Sequence, residues 1–144
     1  MNIENMTLKD FDEIKDNLKE DFDEFWGASI LKSELENENS KYIVAKESGE
    51  IVGFGGIWFS PVDAQITNIV VKKQARKRGI GSLLLEKLIE IAKQSEKDNI
   101  SLEVNEKNIE AIKLYEKYNF KILGIRKNYY NGKENAIIMT KFFE

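Results

Sequence analysis

The sequence predicts an α/β fold with a mixed, mostly antiparallel central sheet and helices on both of its faces. Three observations carry this expectation. A hairpin is written into residues 42–59, where two apolar runs flank the tight turn Ser48-Gly49-Glu50. Two later segments, 79–96 and 108–118, bear apolar residues at helical spacing. Strand-like runs at 65–71, 100–104, 120–125 and 136–143 precede, separate and follow those helices. The 144 residues are expected to form one domain, 1–144, with a core that hides roughly two-thirds of the surface of the unfolded chain.

The elements follow in order. Thr7 and Asp10 form a capping box with Asp in the place of Glu, and Leu8, Phe11, Ile14, Leu18 and Phe22 then recur at helical spacing, which predicts one helix. Ile30, Leu31 and Leu35 predict a second, ending near residues 37–39. Strands at 42–46 and 51–59 form the hairpin, and Ser60-Pro61 ends it. A third strand at 65–71 is rich in Ile, Val and Thr. Residues 72–78 are a polar, basic loop. The long helix at 79–96 is expected to bury Ile80, Leu83, Leu84, Leu88, Ile91 and Ala92. On the helix at 108–118, Ile109, Ile112 and Tyr115 lie about one turn apart.

Composition narrows the chemistry. Hydrophobic residues at 42% and charged residues at 33%, of both signs, mark a globular chain rather than a disordered one. A net charge of −3 argues against a polyanion binder. No apolar run approaches the ~20 residues of a membrane span, and residues 1–10 lack a signal-like apolar stretch, so a cytoplasmic location is expected. Without cysteine or histidine there is no disulfide, no acyl-cysteine, no Ser-His-Asp triad and no histidine-ligated zinc. A general base must be Asp, Glu, Lys, Tyr or water. Composition alone leaves an oxygen-ligated magnesium open.

One motif stands out. Arg76-Lys77-Arg78-Gly79-Ile80-Gly81 follows a strand and opens the long helix. Its glycines let a ligand approach the backbone, and a helix N-terminus presents amides and a positive partial charge. Together they suit a pyrophosphate. Two nucleotide motifs fail on the residues. Leu84 occupies the third glycine position of a dinucleotide fingerprint, and Ser82, not lysine, follows Gly81.

The pattern Arg-x-x-Gly-x-Gly after a strand resembles the acetyl-CoA pyrophosphate motif of the GNAT N-acetyltransferases. The likeness runs through nearly the whole chain: residues 67–71, Ser101-Leu102-Glu103-Val104, Asn108, Ala111, Leu114-Tyr115-Glu116 and Asn119-Phe120 keep that family's order and spacing. Leu-Glu-Val, Leu-Tyr-Glu and the tail from Asn128-Tyr129-Tyr130 to Met139 are similar to the RimI branch, which acetylates the N-terminal alanine of a small-subunit ribosomal protein. The resemblance implies acetyl-CoA as co-substrate and no metal, while the net charge and the lack of a long apolar run argue against nucleic-acid and membrane partners. It implies that Ile69, Val70 and Val71 meet the pantetheine arm through the backbone. Arg76, Lys77, Arg78, Gly79, Ile80, Gly81 and Ser82 would surround the pyrophosphate, and Asn108 would make a further contact with CoA. It makes Glu103 the general base and Tyr115 the general acid. Tyr129 and Tyr130 would line a peptide groove.

The chemistry agrees. An α-ammonium titrates near 7.7–8.0, so attack on a thioester needs a proton acceptor, and a phenol can donate to the leaving sulfur. Direct attack in a ternary complex needs no acyl-enzyme. Four positions depart from the RimI pattern: Asn105 stands where that branch has arginine, Asn119 replaces a glycine, Asn135 replaces an aspartate, and Phe25-Trp26 replaces a Pro-Trp pair. Competing expectations are a small-molecule amine or an internal lysine as acceptor, or a CoA-binding module without turnover. Nucleic-acid binding through Lys72, Lys73, Arg76, Lys77 and Arg78 is the weakest of them.

Overall fold

A computed structural model of the chain describes residues 1–22, 27–130 and 132–143. Among the described residues seven strands make one sheet: β1 (Asn2–Asn5), β2 (Ser40–Glu47), β3 (Glu50–Phe59), β4 (Asp63–Val71), β5 (Asn99–Asn105), β6 (Lys121–Tyr130) and β7 (Glu134–Phe142). Their lateral order is β1-β2-β3-β4-β5-β7-β6. Only β4 and β5 run parallel; every other pair is antiparallel. The helices are α1 (Leu8–Ile14), α2 (Leu18–Phe22), α3 (Ala28–Glu36), α4 (Ile80–Gln94) and α5 (Ile109–Lys117), with a 3₁₀ turn at Lys73–Ala75.

The sheet has a core on each face. On one, Phe11, Ile14, Leu18, Phe22 and Leu31 from α1–α3 cover Tyr42, Val44 and Phe54. On the other, Ile80, Leu84, Leu85, Leu88 and Ala92 of α4 cover Ile43, Ile57, Ile100, Leu102 and Met139. Leu84, Leu85 and Leu88 are fully buried, each contributing about 1.5–3 kcal/mol of apolar transfer. The expected α4 stripe needs one correction: Leu83 is exposed, and Leu85 and Ile89 take part in the core instead. Ile109, at the start of α5, is exposed as well.

Two further differences have simple causes. β1 leaves no signal in the sequence, because four edge residues with only Ile3 partly buried carry no alternation. The single helix expected from Leu8 to Phe22 is two. Asn17 N–H bonds the carbonyl of Ile14 at 3.0 Å, which ends α1 with a tight turn, and Asp21 N–H then bonds Asn17 O at 2.9 Å to begin α2. Both halves still bury their apolar residues in one core.

The capping box at Thr7 is present: Asp10 N–H donates to Thr7 Oγ1 at 3.1 Å, and Thr7 N–H donates to Asp10 Oδ2 at 2.9 Å. Asp10 is buried, and Lys46 of β2 meets its Oδ1 at 2.9 Å. This pair joins α1 to the sheet.

One bulge shapes the site. The β3–β4 register changes between Gly56 and Ile57, so Thr67 is the extra residue on β4. Its Oγ1 lies 3.1 Å from Tyr42 Oη. A Cβ on Gly56 would sit 2.3 Å from Tyr42 Cζ and 2.7 Å from Thr67 Oγ1, so no other residue fits there.

Gly56→Ala is expected to destabilise the protein by about 1–3 kcal/mol or more, seen as a lowered urea midpoint; an unchanged midpoint contradicts the packing described. Burial raises the pKa of Asp10, but hydrogen bonds from Thr7 and Lys46 outweigh it and hold the carboxyl below its ordinary value. Its contribution is therefore fully present above about pH 4 and is lost as the pH falls through the depressed folded value. Urea titrations from pH 7 to pH 3 check this: Asp10→Asn removes part of the acid-side slope.

Candidate active site

β4 and β5 pair only at their beginnings, through Asp63 with Asn99, Ala64 with Ile100 and Gln65 with Ser101. Beyond Gln65 the strands part. The gap is a cleft of about 300 Å³ whose walls include Thr67, Asn68, Ile69 and Val70 on one side and Glu103, Val104, Asn108, Tyr115 and Tyr130 on the other. Because its lining comes from both faces of the sheet, the cleft is a window through the sheet rather than a surface dent.

The ladder determines which amides face this window. Lys72 N–H bonds Val52 O at 2.8 Å, and residues alternate along an antiparallel pair. Val70, opposite Phe54, therefore turns its N–H and C=O toward β3, while Ile69 and Val71 turn theirs toward β5. Arg76 Nε takes the carbonyl of Val71 at 3.0 Å. The N–H groups of Ile69 and Val71 remain for a ligand. Of the three residues expected to offer backbone contacts, Val70 is thus committed to the sheet, and its side chain packs against the α1–α3 core.

The loop before α4 leaves backbone amides without intrahelical or capping partners. Gly79 is the N-cap of α4, with φ 82° and ψ 9°, and no side chain caps the helix there. Leu83 N–H already bonds Gly79 O at 3.1 Å, so the N–H groups of Ile80, Gly81 and Ser82 are the uncapped ones. The side chain of Ile80 is buried in the core, leaving its amide as its only polar contribution. Lys77 also adopts a positive φ of 65°. The basic side chains divide their roles. Arg78 forms an ion pair with Glu47, and Lys72 with Glu50, so both reach back to the β2–β3 turn. Arg76 donates to Val71 O and, at 3.4 Å, to Phe22 O, bracing the end of β4 against the end of α2. The amides, not the guanidinium groups, are the pre-aimed donors.

Glu103 and Tyr115 approach the window from different elements. β5 buries Ile100, Leu102 and Val104 on the α4 side and directs Glu103 the other way. Arg126 Nε lies 3.3 Å from Glu103 Oε1. Tyr115 rises from α5 and stacks at a tilt on Phe120, ring centroids 5.9 Å apart. Among the described residues its hydroxyl has no hydrogen-bond partner. Burial pushes its phenol above the ordinary tyrosine value, with Tyr130 adding to the shift. It stays protonated at neutral pH and can donate.

Tyr130 also enters the cleft, its pKa raised by burial and then by Glu103 and Tyr129. Tyr129 lies outside the cleft, half exposed. No spacing rule separates two adjacent tyrosines near a strand end; the pleat does. Asn108 caps α5, its Oδ1 accepting from Ala111 N–H at 3.2 Å, which leaves its NH₂ for the cleft.

Three of the four unusual positions have local explanations. Asn119 has φ 71°, as a glycine would, and completes a Schellman cap: Asn119 N–H bonds Glu116 O at 2.9 Å and Phe120 N–H bonds Tyr115 O at 3.1 Å. Asn135 N–H meets Glu106 Oε2 at 2.8 Å, and its Oδ1 accepts from Asn128 N–H at 2.9 Å. Asn105 Oδ1 accepts from Lys107 N–H at 2.9 Å. Phe25-Trp26 lies outside the described residues.

A family model described as the acetyltransferase (GNAT) family matches residues 11–120. The chain belongs to this family. A Bacillus subtilis protein provisionally named a ribosomal protein bS18-alanine N-acetyltransferase is 38% identical over 140 residues, spanning 95% of this chain and 92% of that one. The crystal structure of the Escherichia coli ribosomal-protein-S18-alanine N-acetyltransferase superposes with a TM-score of 0.87 at 28% identity, over 96% of this chain and 91% of the other. A GNAT acetyltransferase of Elizabethkingia anophelis, crystallised with acetyl-CoA bound, shares the fold with a TM-score of 0.79 at 23% identity, over 99% and 97% of the two chains. The GNAT chain is an acetyl-CoA-dependent N-acetyltransferase, and the sheet window and uncapped helix start suit that co-substrate. Among the described residues no cluster of acidic side chains could hold a metal ion, and no helix is long and apolar enough to cross a membrane.

Gly81 separates fold from ligand. A Cβ there meets only Val71 Cγ2, at 3.9 Å. Gly81→Ala should leave stability unchanged or raise it by up to about 1 kcal/mol, while the added methyl crowds the anion seat and raises the Kd for acetyl-CoA about tenfold, roughly 1.4 kcal/mol. Calorimetric titration beside thermal melts checks both; unchanged affinity contradicts the seat.

Proposed function

We propose that the protein transfers acetyl from acetyl-CoA directly to the N-terminal α-amine of a polypeptide, in the manner of a ribosomal-protein-alanine N-acetyltransferase. The observation that carries this reading is the meeting of Glu103 and Tyr115 in the one cleft where β4 and β5 part. The names of the Bacillus and Escherichia relatives support the choice of acceptor.

Acetyl-CoA supplies an activated acetyl group as a thioester. The amides of Ile80, Gly81 and Ser82 bind its pyrophosphate, and Lys77 adds positive charge beside them. The N–H groups of Ile69 and Val71 hold the pantetheine arm and polarise the thioester carbonyl. Asn108 offers its NH₂ from the other wall. On the face away from α4, Glu103 receives the acceptor ammonium and takes one proton from it, directly or through water. The neutral amine forms the new C–N bond as the C–S bond breaks. Tyr115 donates its proton to the departing sulfur, the second proton lost by the acceptor nitrogen passes through water to the phenolate so formed, and the proton on Glu103 leaves to solvent. No covalent bond to the protein is required, so the kinetics are those of a ternary complex.

Glu103→Gln is expected to lower kcat/KM by about 10²–10⁴-fold, and Tyr115→Phe to lower kcat more than KM. Release of free CoA, measured with alanine-, serine- and methionine-starting peptides, an internal-lysine peptide and spermidine, checks both roles and the acceptor. Turnover confined to the alanine peptide supports the proposal; turnover with spermidine or the internal lysine alone replaces the acceptor. Wild-type rates in the Glu103→Gln, Tyr115→Phe double variant overturn the assigned chemistry.

A further inference from the structure

On the proposed reading acetyl-CoA spans the site from its pyrophosphate, at the start of α4, to its sulfur, beside Tyr115 of α5. The spacing of these two helices therefore has to be held. Packing alone holds α5 weakly. None of its residues is fully buried, and Ala111, Ile112, Leu114 and Tyr115 only rest against the core on the α4 side. The end of the helix is tied down instead, and Tyr118 makes the ties.

Tyr118 follows Tyr115 by about one turn, and its N–H bonds the carbonyl of Tyr115 at 3.0 Å. Its own carbonyl accepts from Lys141 Nζ of β7 at 3.0 Å. Its hydroxyl reaches the other helix. There it donates to Glu86 Oε2 in the second turn of α4 and also meets the hydroxyl of Ser82 in the first. Ser82 is one of the residues whose amides stand uncapped at that helix start. One phenol thus joins the turn that carries Tyr115 to the turn that offers amides to an anion. The Glu86 carboxylate, and after it burial, holds the Tyr118 phenol above the ordinary tyrosine value, so it stays protonated and keeps donating. Tyr118 is not among the residues that line the cleft, so whatever it contributes to the reaction passes through its neighbours.

We propose that Tyr118 is a positioning residue for acetyl transfer: its hydroxyl ties the last turn of α5 to the first two turns of α4 and so fixes Tyr115 at one distance from the amides of Ile80, Gly81 and Ser82. This rests on the reading of Tyr115 as the proton donor. A ligand held at its pyrophosphate then brings its sulfur to a donor that is already in place.

The test measures kcat and KM with acetyl-CoA and whichever of the peptides or spermidine turns over best. Tyr118→Phe keeps the ring and the backbone bonds and removes only the hydroxyl, and thermal melts verify that the variant is folded. It should lower kcat about ten- to a hundredfold, the cost of a donor misplaced by up to ~1 Å, and leave the KM for the acceptor unchanged. Glu86→Gln still offers the phenol a carbonyl oxygen and should keep most of kcat, whereas Glu86→Ala should repeat the loss. The deciding arm combines Tyr118→Phe with Tyr115→Phe. With no donor left to place, Tyr118→Phe should lower the residual kcat by less than about twofold. An equal loss in both backgrounds means that Tyr118 acts independently of Tyr115, as a purely structural residue would, and overturns the proposal. So does wild-type kcat in Tyr118→Phe. Tyr115→Phe measured alone separates the two readings. A loss there with full kcat in Tyr118→Phe removes the positioning role alone. Full kcat in Tyr115→Phe removes the donor on which it stands.

Discussion

Everything in the candidate site depends on the parting of β4 from β5 after Gln65 and Ser101. A parallel pair that stayed zipped would spend the amides of Ile69 and Val71 on the sheet and close the cleft. The bulge at Thr67 is the local device that accompanies the separation, since an extra residue bends and twists the strand that carries it. It is packed against the ring of Tyr42, which occupies the space a side chain at position 56 would need. The functional window is thereby specified by a steric fact one strand further in.

The two ends of the window differ in their electrostatics. At the α4 end the fixed donors are backbone amides at an uncapped helix start, and they need no reorganisation to meet an anion. The nearby Arg78 and Lys72 are tied to Glu47 and Glu50, exposed pairs that salt and water screen and that can be exchanged at low cost. At the opposite end the mostly buried carboxylate of Glu103 acts on Tyr130, and Tyr115 lines the same cleft. Burial raises both phenols further above their ordinary value, so each stays protonated and able to donate. On the proposed reading, the uncapped start of α4 and the Glu103 carboxylate serve different ligands, with the window between β4 and β5 joining them.

Most of the architecture was legible in the sequence because long elements carry strong periodicity. The hairpin 42–59, α4, α5 and β5 emerge from alternation or helical spacing alone. What failed was short or at an edge: β1 has too few buried residues to leave a pattern, and the break between α1 and α2 preserves the apolar spacing across it. Helical spacing places Leu83 on the buried stripe, yet it is exposed, because spacing fixes a stripe but not its width. For the site, the Gly79–Gly81 motif and the direction of Glu103 follow from residue type and pleat. The different fates of Ile69, Val70 and Val71 do not, since they depend on the β3–β4 register. Nor could a linear reading bring Arg126 to Glu103, because that contact crosses β7 and exists only through the strand order β5-β7-β6.

The most direct test of the account is amide hydrogen exchange, read residue by residue by NMR with and without acetyl-CoA. The N–H groups of Ile69 and Val71 should exchange readily in the free protein and become protected on binding, together with those of Ile80, Gly81 and Ser82. That of Val70 should be protected in both states because it is bonded to β3. Protection of Ile69 and Val71 before any ligand is added, or no change in them when acetyl-CoA binds, would contradict the claim that the parted strands form its seat.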